Sequence, residues 1–182
     1  MKKRDRPLRL LLVEDNPDDA QIARMVFRKE PNPWEIVWVS DGQEALDFLF
    51  KRGKYADAEE TWMPDLVLLN IMLPKVRGYE VLERLKQDPG LSLIPVVMWS
   101  ISRSSNSIER SYRLGANAYL LKFASLREMK ESLETVRRFW ERVQLPTLVE
   151  ELGWEGRREG MSQLQSSSGY RRDRSNSEGS LR

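Results

Sequence analysis

The stretch from Asp65 to Gly78 constrains the chain most. Leu66-Val67-Leu68-Leu69 is an unbroken apolar run that ends on one polar residue, Asn70, and Pro74 and Gly78 close the segment behind it as a loop. The run is too short to cross a membrane, which takes about 20 apolar residues, and too uniform to leave one face in water. It predicts a strand of a parallel sheet, buried on both faces. In open sheets of this kind, ligands sit beyond the carboxyl ends of the strands. The function therefore turns on what an amide does at position 70.

The same apolar-then-polar pattern recurs along the chain. Leu8 to Val13 reads as a strand that ends on Glu14-Asp15; Asn16-Pro17-Asp18-Asp19 leads into a helix over Ala20 to Lys29, with Ile22, Met25 and Val26 at helical spacing and Pro31 and Pro33 behind it. Trp34 to Val39 is a second strand, followed by Asp41 with Glu44 as a capping pattern and by Ala45, Leu46, Phe48 and Leu49 on one helical face. Lys51 to Met63 reads as a polar loop. After the Asp65 strand comes a helix over Tyr79 to Gln87, with Val81, Leu82 and Leu85 inward and Asp88-Pro89-Gly90 as its stop. Pro95 to Ser100 is a fourth strand, and Ile101 to Ser107 a serine-rich loop. A short helix over Ile108 to Leu114 ends at Gly115. Ala118 to Leu121 is a fifth strand ending on Lys122. Ser125 with Glu128 then caps a long helix lined by Leu126, Met129, Leu133, Val136 and Trp140. Five strands alternating with five helices imply an α/β fold with a parallel sheet and right-handed crossovers.

Composition narrows the function. The 182 residues suffice for one domain and extra segments, and 30 basic against 28 acidic side chains give no general affinity for nucleic acid. The chain has no Cys and no His, which removes thiol chemistry, the commonest general base and the commonest zinc ligand. No stretch reaches the length of a membrane span, and the basic Met1 to Pro7 segment lacks a signal-peptide pattern, so the cytoplasm is the expected location. The expected organisation is a basic arm over 1–6, a core domain over 7–146, and an extension over 147–182. Beyond Gly153 the composition changes: Arg157-Arg158, Ser166-Ser167-Ser168, Arg171-Arg172-Asp173-Arg174 and Ser175 to Ser180 contain almost nothing apolar, so most of the extension is expected to be disordered.

Polar groups gather at the strand ends: Glu14-Asp15, Asn70, Ser100 and Lys122. A sheet ordered 2-1-3-4-5 would bring these together. Neighbouring carboxylates suit Mg²⁺, which prefers oxygen ligands, while a lysine and a hydroxyl can serve phosphoryl oxygens. The ensemble looks like a phosphoryl-transfer pocket, which needs positioning and charge neutralisation above all.

With Leu11-Leu12-Val13-Glu14-Asp15-Asn16-Pro17-Asp18-Asp19, the Pro74 to Gly78 spacing, Ile94-Pro95-Val96-Val97 and Tyr119-Leu120-Leu121-Lys122 in order, the chain resembles the response-regulator receiver domain of two-component signalling over residues 7 to 146. The long loop before the third strand and the Phe139-Trp140 ending resemble the single-domain regulators that pair with phytochrome-type histidine kinases. The resemblance implies a flavodoxin-like (βα)5 receiver fold and a non-enzymatic module docking a histidine kinase or a histidine phosphotransfer protein. It also implies output through the fourth and fifth helices and the strand between them, and a possible homodimer through that face; from charge balance and the lack of an apolar span, neither nucleic acid nor a membrane is an expected partner. By the same resemblance Glu14, Asp15, Asn70 and the Met72 carbonyl would hold Mg²⁺, Ser100 would contact the phosphoryl group, Tyr119 would be the switch aromatic and Lys122 the site lysine.

Asn70 falls where the family carries its phospho-accepting Asp. An amide oxygen is neutral and a poor nucleophile, so phosphorylation is expected to be absent. Glu14, Asp15 and Lys122 sum to one negative charge, against two with an Asp at position 70, so Mg²⁺ binding is expected to weaken. Either an engineered Asp-to-Asn change or a natural pseudo-receiver explains this. Arg77, where acidic or amide residues are common, and Phe123, in place of a frequent proline, favour the natural origin. A phosphorylation-independent scaffold or decoy is the alternative function. A Mg²⁺-dependent phosphatase using Glu14 and Asp15 is a further reading, weakened by the lack of a nucleophile. Plainer readings remain for each residue: Glu14-Asp15 as a helix-entry acidic pair, Lys122 as a solvated lysine, Ser100 as a strand-end hydroxyl, and Tyr119 as strand packing.

Overall fold

The computed structural model describes residues 6–56 and 62–145. Residues 1–5 of the arm expected over 1–6, part of the polar loop (57–61), residue 146 and the whole extension expected over 147–182 lie outside the described residues. The elements run β1 (Arg9–Val13), α1 (Pro17–Phe27), β2 (Glu35–Val39), α2 (Gly42–Leu49), a 3-10 turn (Gly53–Tyr55), β3 (Leu66–Leu69), α3 (Gly78–Gln87), β4 (Val96–Ser100), α4 (Ser105–Arg113), β5 (Ala118–Leu121) and α5 (Leu126–Trp140). The sheet order is β2-β1-β3-β4-β5, with every neighbouring pair parallel. This is the expected flavodoxin-like arrangement.

The uniform apolar runs follow from the two-sided burial of the inner strands. Leu10 and Leu12 of β1, Leu66 and Leu68 of β3, and Val97 and Trp99 of β4 face one layer, where Ala23, Phe27, Met129 and Leu133 of α1 and α5 meet them. Leu11 and Val13, Val67 and Leu69, and Val96 and Met98 face the other, against Leu46, Leu49, Leu82 and Leu85 of α2 and α3. Alternate side chains of a strand point to opposite faces, so a strand covered on both sides must be apolar at every position. Burying each such leucine contributes about 2 kcal/mol.

Local chemistry sets the helix starts. The Asn16 side chain accepts from the N–H of Asp18 (2.9 Å) and of Asp19 (3.2 Å), and Pro17 occupies the first helical position. α1 therefore begins at Pro17, three residues before the sequence expectation. The Asp41 carboxylate caps α2 through the Glu44 N–H at 2.8 Å. α4 begins at Ser105, so the serine-rich loop is shorter than expected. Gly115, with φ +95°, ends α4 in the left-handed conformation that a helix terminus of this type needs. Two inward assignments are corrected. Met25 of α1 and Leu126 of α5 are exposed; the helical stripes pass instead through Ala20, Ala23, Val26 and Phe27, and through Met129, Leu133 and Val136.

The segment between β3 and α3 is held hard against the sheet edge. A Cβ on Gly78 would lie 2.0 Å from the Asn70 carbonyl oxygen, so only glycine lets α3 start there. The Gly78 N–H donates to the Ile71 carbonyl at 2.9 Å. Lys75, at φ +61°, turns its ammonium onto the Asp41 carboxylate at 2.6 Å. Burial works against ionisation of Asp41, yet the Lys75 ammonium and the Glu44 N–H hold its carboxyl below the ordinary value.

Candidate functional site

The carboxyl ends of β1, β3 and β5 converge on one polar cluster. Glu14, directly after β1, is fully buried. Its Oε1 accepts from the Asn16 N–H (3.1 Å) and from the Asn70 Nδ2 (3.3 Å), and its Oε2 accepts from the Lys122 ammonium (2.6 Å). The Trp38 indole N–H donates to the Glu14 backbone carbonyl at 2.8 Å, fixing the turn from behind. Burial pushes the Glu14 carboxyl up to about 7, against the opposing pull of the Lys122 ammonium and of the Asn16 N–H.

Lys122 directly follows β5 and reaches across the sheet end. It pairs with Glu14 and, at 2.9 Å, with Asp19 in the first turn of α1, while its Nζ lies 4.6 Å from the centre of the Trp99 ring. Two carboxylates and an aromatic face thus compensate a nearly buried ammonium. Asp19 and Trp99 are the site residues that sequence reasoning missed. Asp19 reads locally as an acid favoured by the helix dipole, and Trp99 as core; only the tertiary fold shows that both meet Lys122.

Asn70, also nearly buried, completes the cluster. Its Nδ2 donates to the Asp15 carboxylate at 2.8 Å, to Glu14 at 3.3 Å and to the Met72 carbonyl at 3.3 Å, while its Oδ1 faces the Met72 N–H at 3.4 Å. The amide orientation follows from its surroundings: the reverse would set the amide oxygen against two carboxylates and a carbonyl. Glu14, Asp15, Asn70 and the Met72 carbonyl therefore come together at the sheet end, with the Asn70 nitrogen rather than its oxygen turned to the other three. Among the described residues, no group of three or more His, Cys, Asp and Glu side chains is placed to hold a metal ion.

Ser100 and Tyr119 do not join this cluster through hydrogen bonds. The buried Ser100 hydroxyl accepts from the Ser102 N–H at 3.2 Å, and the Tyr119 hydroxyl donates to the Ser102 carbonyl at 2.9 Å. Both brace the segment between β4 and α4. Asp65, at the opposite end of the sheet, is paired with the Arg6 guanidinium and the Arg9 N–H.

The sequence pattern of the response regulator receiver domain matches residues 10–134. The chain belongs to the response-regulator receiver family. Response regulator Rcp1 of Synechocystis sp. is 36% identical over 141 residues, spanning 77% of this chain and 94% of Rcp1. The probable methanogenesis regulatory protein FilR2 of Methanothrix harundinacea is 35% identical over 134 residues, spanning 74% and 84% of the two chains. Among solved structures, the phosphorylated cyanobacterial phytochrome response regulator RcpA superposes with a TM-score of 0.73 at 38% identity, covering 78% of this chain and 99% of RcpA. The Mn(2+)-bound form of Rcp1 superposes with a TM-score of 0.72 at 35% identity, covering 77% and 99%. This chain is thus a receiver domain of two-component signalling. No helix among the described residues is long and apolar enough to cross a membrane.

Proposed function

We propose that this receiver docks a histidine kinase or a histidine phosphotransfer protein in a phosphorelay, and that position 70 does not take the phosphoryl group. The observation that carries the reading is the Asn70 amide at the end of β3, whose nitrogen is hydrogen-bonded to Asp15 and Glu14. An acyl phosphate needs a carboxylate oxygen as nucleophile, and the amide presents none. The chain is a signalling module rather than an enzyme, with the cytoplasm as its compartment and neither nucleic acid nor membrane as partner. Lys122 offsets part of the negative charge of the acidic pocket, and Ser100 and Tyr119 tie its rim to the segment leading into α4, the path by which docking is read out. Mg²⁺ binds more weakly than it would beside a carboxylate at position 70.

A kinase of the phytochrome type is supported by likeness to RcpA, a phytochrome response regulator, and to the bacteriophytochrome response regulator RtBRR, which is 27% identical. A homodimer through α4 and α5 is supported by the exposed Tyr112 and Phe139 on these helices. A second reading, a scaffold or decoy that competes with phosphorylatable receivers, is favoured by the same saturated amide.

Binding of the chain to the catalytic core of a phytochrome-type histidine kinase, followed by biolayer interferometry, tests the proposal. Binding of equal strength with and without a phosphodonor is expected. Binding that appears only with the phosphodonor would overturn it.

A further inference from the structure

The donor chemistry of Glu14, Asp15 and the Met72 carbonyl fits a hard divalent cation, but the place where a cation would sit is taken. The Asn70 Nδ2 lies within 3.3 Å of an oxygen from each of these three groups. A primary amide nitrogen carries two hydrogens and no usable lone pair, so it can only donate. A cation at that point would face the positive end of the amide dipole and would have to displace bonds to two carboxylates. Turning the amide over would bring its oxygen to the cation. It would also set the NH2 group against the Met72 N–H, which now donates towards the Asn70 oxygen. The other side of Glu14 is closed as well: Lys122 holds Oε2, and the Asn16 N–H shares Oε1.

We infer that the Asn70 side-chain amide stands in for the divalent cation, so that the acidic pocket is held together by hydrogen bonds without metal. Position 70 thereby does more than lose a nucleophile. It fastens β3 to the Glu14-Asp15 turn and to the segment before α3, the connections a bound cation would otherwise make. The inference rests on reading Glu14, Asp15 and Met72 as the cation site, and it deepens that reading: the amide itself blocks the cation, beyond the weakening that the lost charge brings.

The test compares Asn70→Ala with the unaltered chain. If the missing carboxylate alone weakens metal binding, deleting the amide gains nothing. If the amide occupies the site, deleting it frees two carboxylates and a carbonyl. Free Mn²⁺ measured by electron paramagnetic resonance, with thermal unfolding followed in parallel, reads the difference for the full chain, Asn70→Ala, Asn70→Ser and Asn70→Asp. The expected result is no Mn²⁺-dependent rise in melting temperature for the unaltered chain. Asn70→Ala and Asn70→Ser should bind Mn²⁺ at least about tenfold tighter than the unaltered chain, the worth of one hydrogen bond to a charged group, and should be stabilised by it. Asn70→Asp should bind tightest. Asn70→Asp binding while Asn70→Ala and Asn70→Ser bind no better than the unaltered chain would overturn the stand-in role alone. Failure of all three variants would overturn the cation-site reading beneath it, and kinase docking, measured without metal, is unaffected by either result.

Discussion

At the scale of single residues, Lys122 and Glu14 carry the highest electrostatic stakes. Both side chains are almost wholly out of solvent, and the ammonium is shared between Glu14, Asp19 and the Trp99 ring. Lys122→Met leaves Glu14 buried without its counter-ion, and breaking a buried pair from one side costs about 3–5 kcal/mol; urea unfolding of the variant should show a loss of that size. Gly78 is the steric counterpart. A methyl group there would lie 2.0 Å from the Asn70 carbonyl oxygen, a backbone atom that cannot swing away. Gly78→Ala should therefore cost at least the roughly 1–3 kcal/mol of ordinary overpacking and should displace Asn70, visible in the amide NMR signals of residues 70 to 78.

At the scale of elements, α3 is anchored by an unusual lysine. Lys86 donates to the carbonyls of Ser92 (3.0 Å) and Ile94 (2.7 Å) and to the Asn117 side chain (3.3 Å), and its stem packs on Gly115. Burial pushes its ammonium down to about 8 from an ordinary 10.5. Between these values the unfolded chain holds more protons than the folded one, so stability rises with pH across that window and Lys86 adds no slope below it. Denaturation across about pH 7 to 10.5 should show this rise, and Lys86→Met should flatten it. The elements themselves were legible because two-sided burial writes itself into the sequence: β3, β4 and the inward faces of α2 and α3 follow from apolar spacing alone. Less legible were the faces of α1 and α5. Met25 and Leu126 fit a helical stripe yet are exposed, while Ala20, Ala23, Val26 and Phe27 pack α1 and Met129, Leu133 and Val136 pack α5. Ser105 to Ser107 of α4 show no apolar periodicity, so the sequence alone predicts a loop over its first turn.

At the scale of the molecule, Glu14, Asp15, Asn70, Met72 and Lys122, from segments far apart in the chain, meet at the carboxyl ends of β1, β3 and β5, the end of such a sheet where ligands bind. Motif order revealed those positions but not their pairing. The reach of Lys122 to Asp19, and the turn of Tyr119 towards Ser102 rather than towards Lys122, depend on how β5 and α1 meet in space. The outcome is a receiver whose pocket is held together by its own amide and ammonium groups and which has no nucleophile at the end of β3.

The most direct test of that account is intact-mass analysis after incubation with Mg²⁺ and a small-molecule phosphodonor, with the unaltered chain and Asn70→Asp side by side. The account predicts one added phosphate on Asn70→Asp and none on the unaltered chain. Phosphate on the unaltered chain would contradict the role given to Asn70, and phosphate on neither would show that the pocket differs from that of a working receiver at more than this residue.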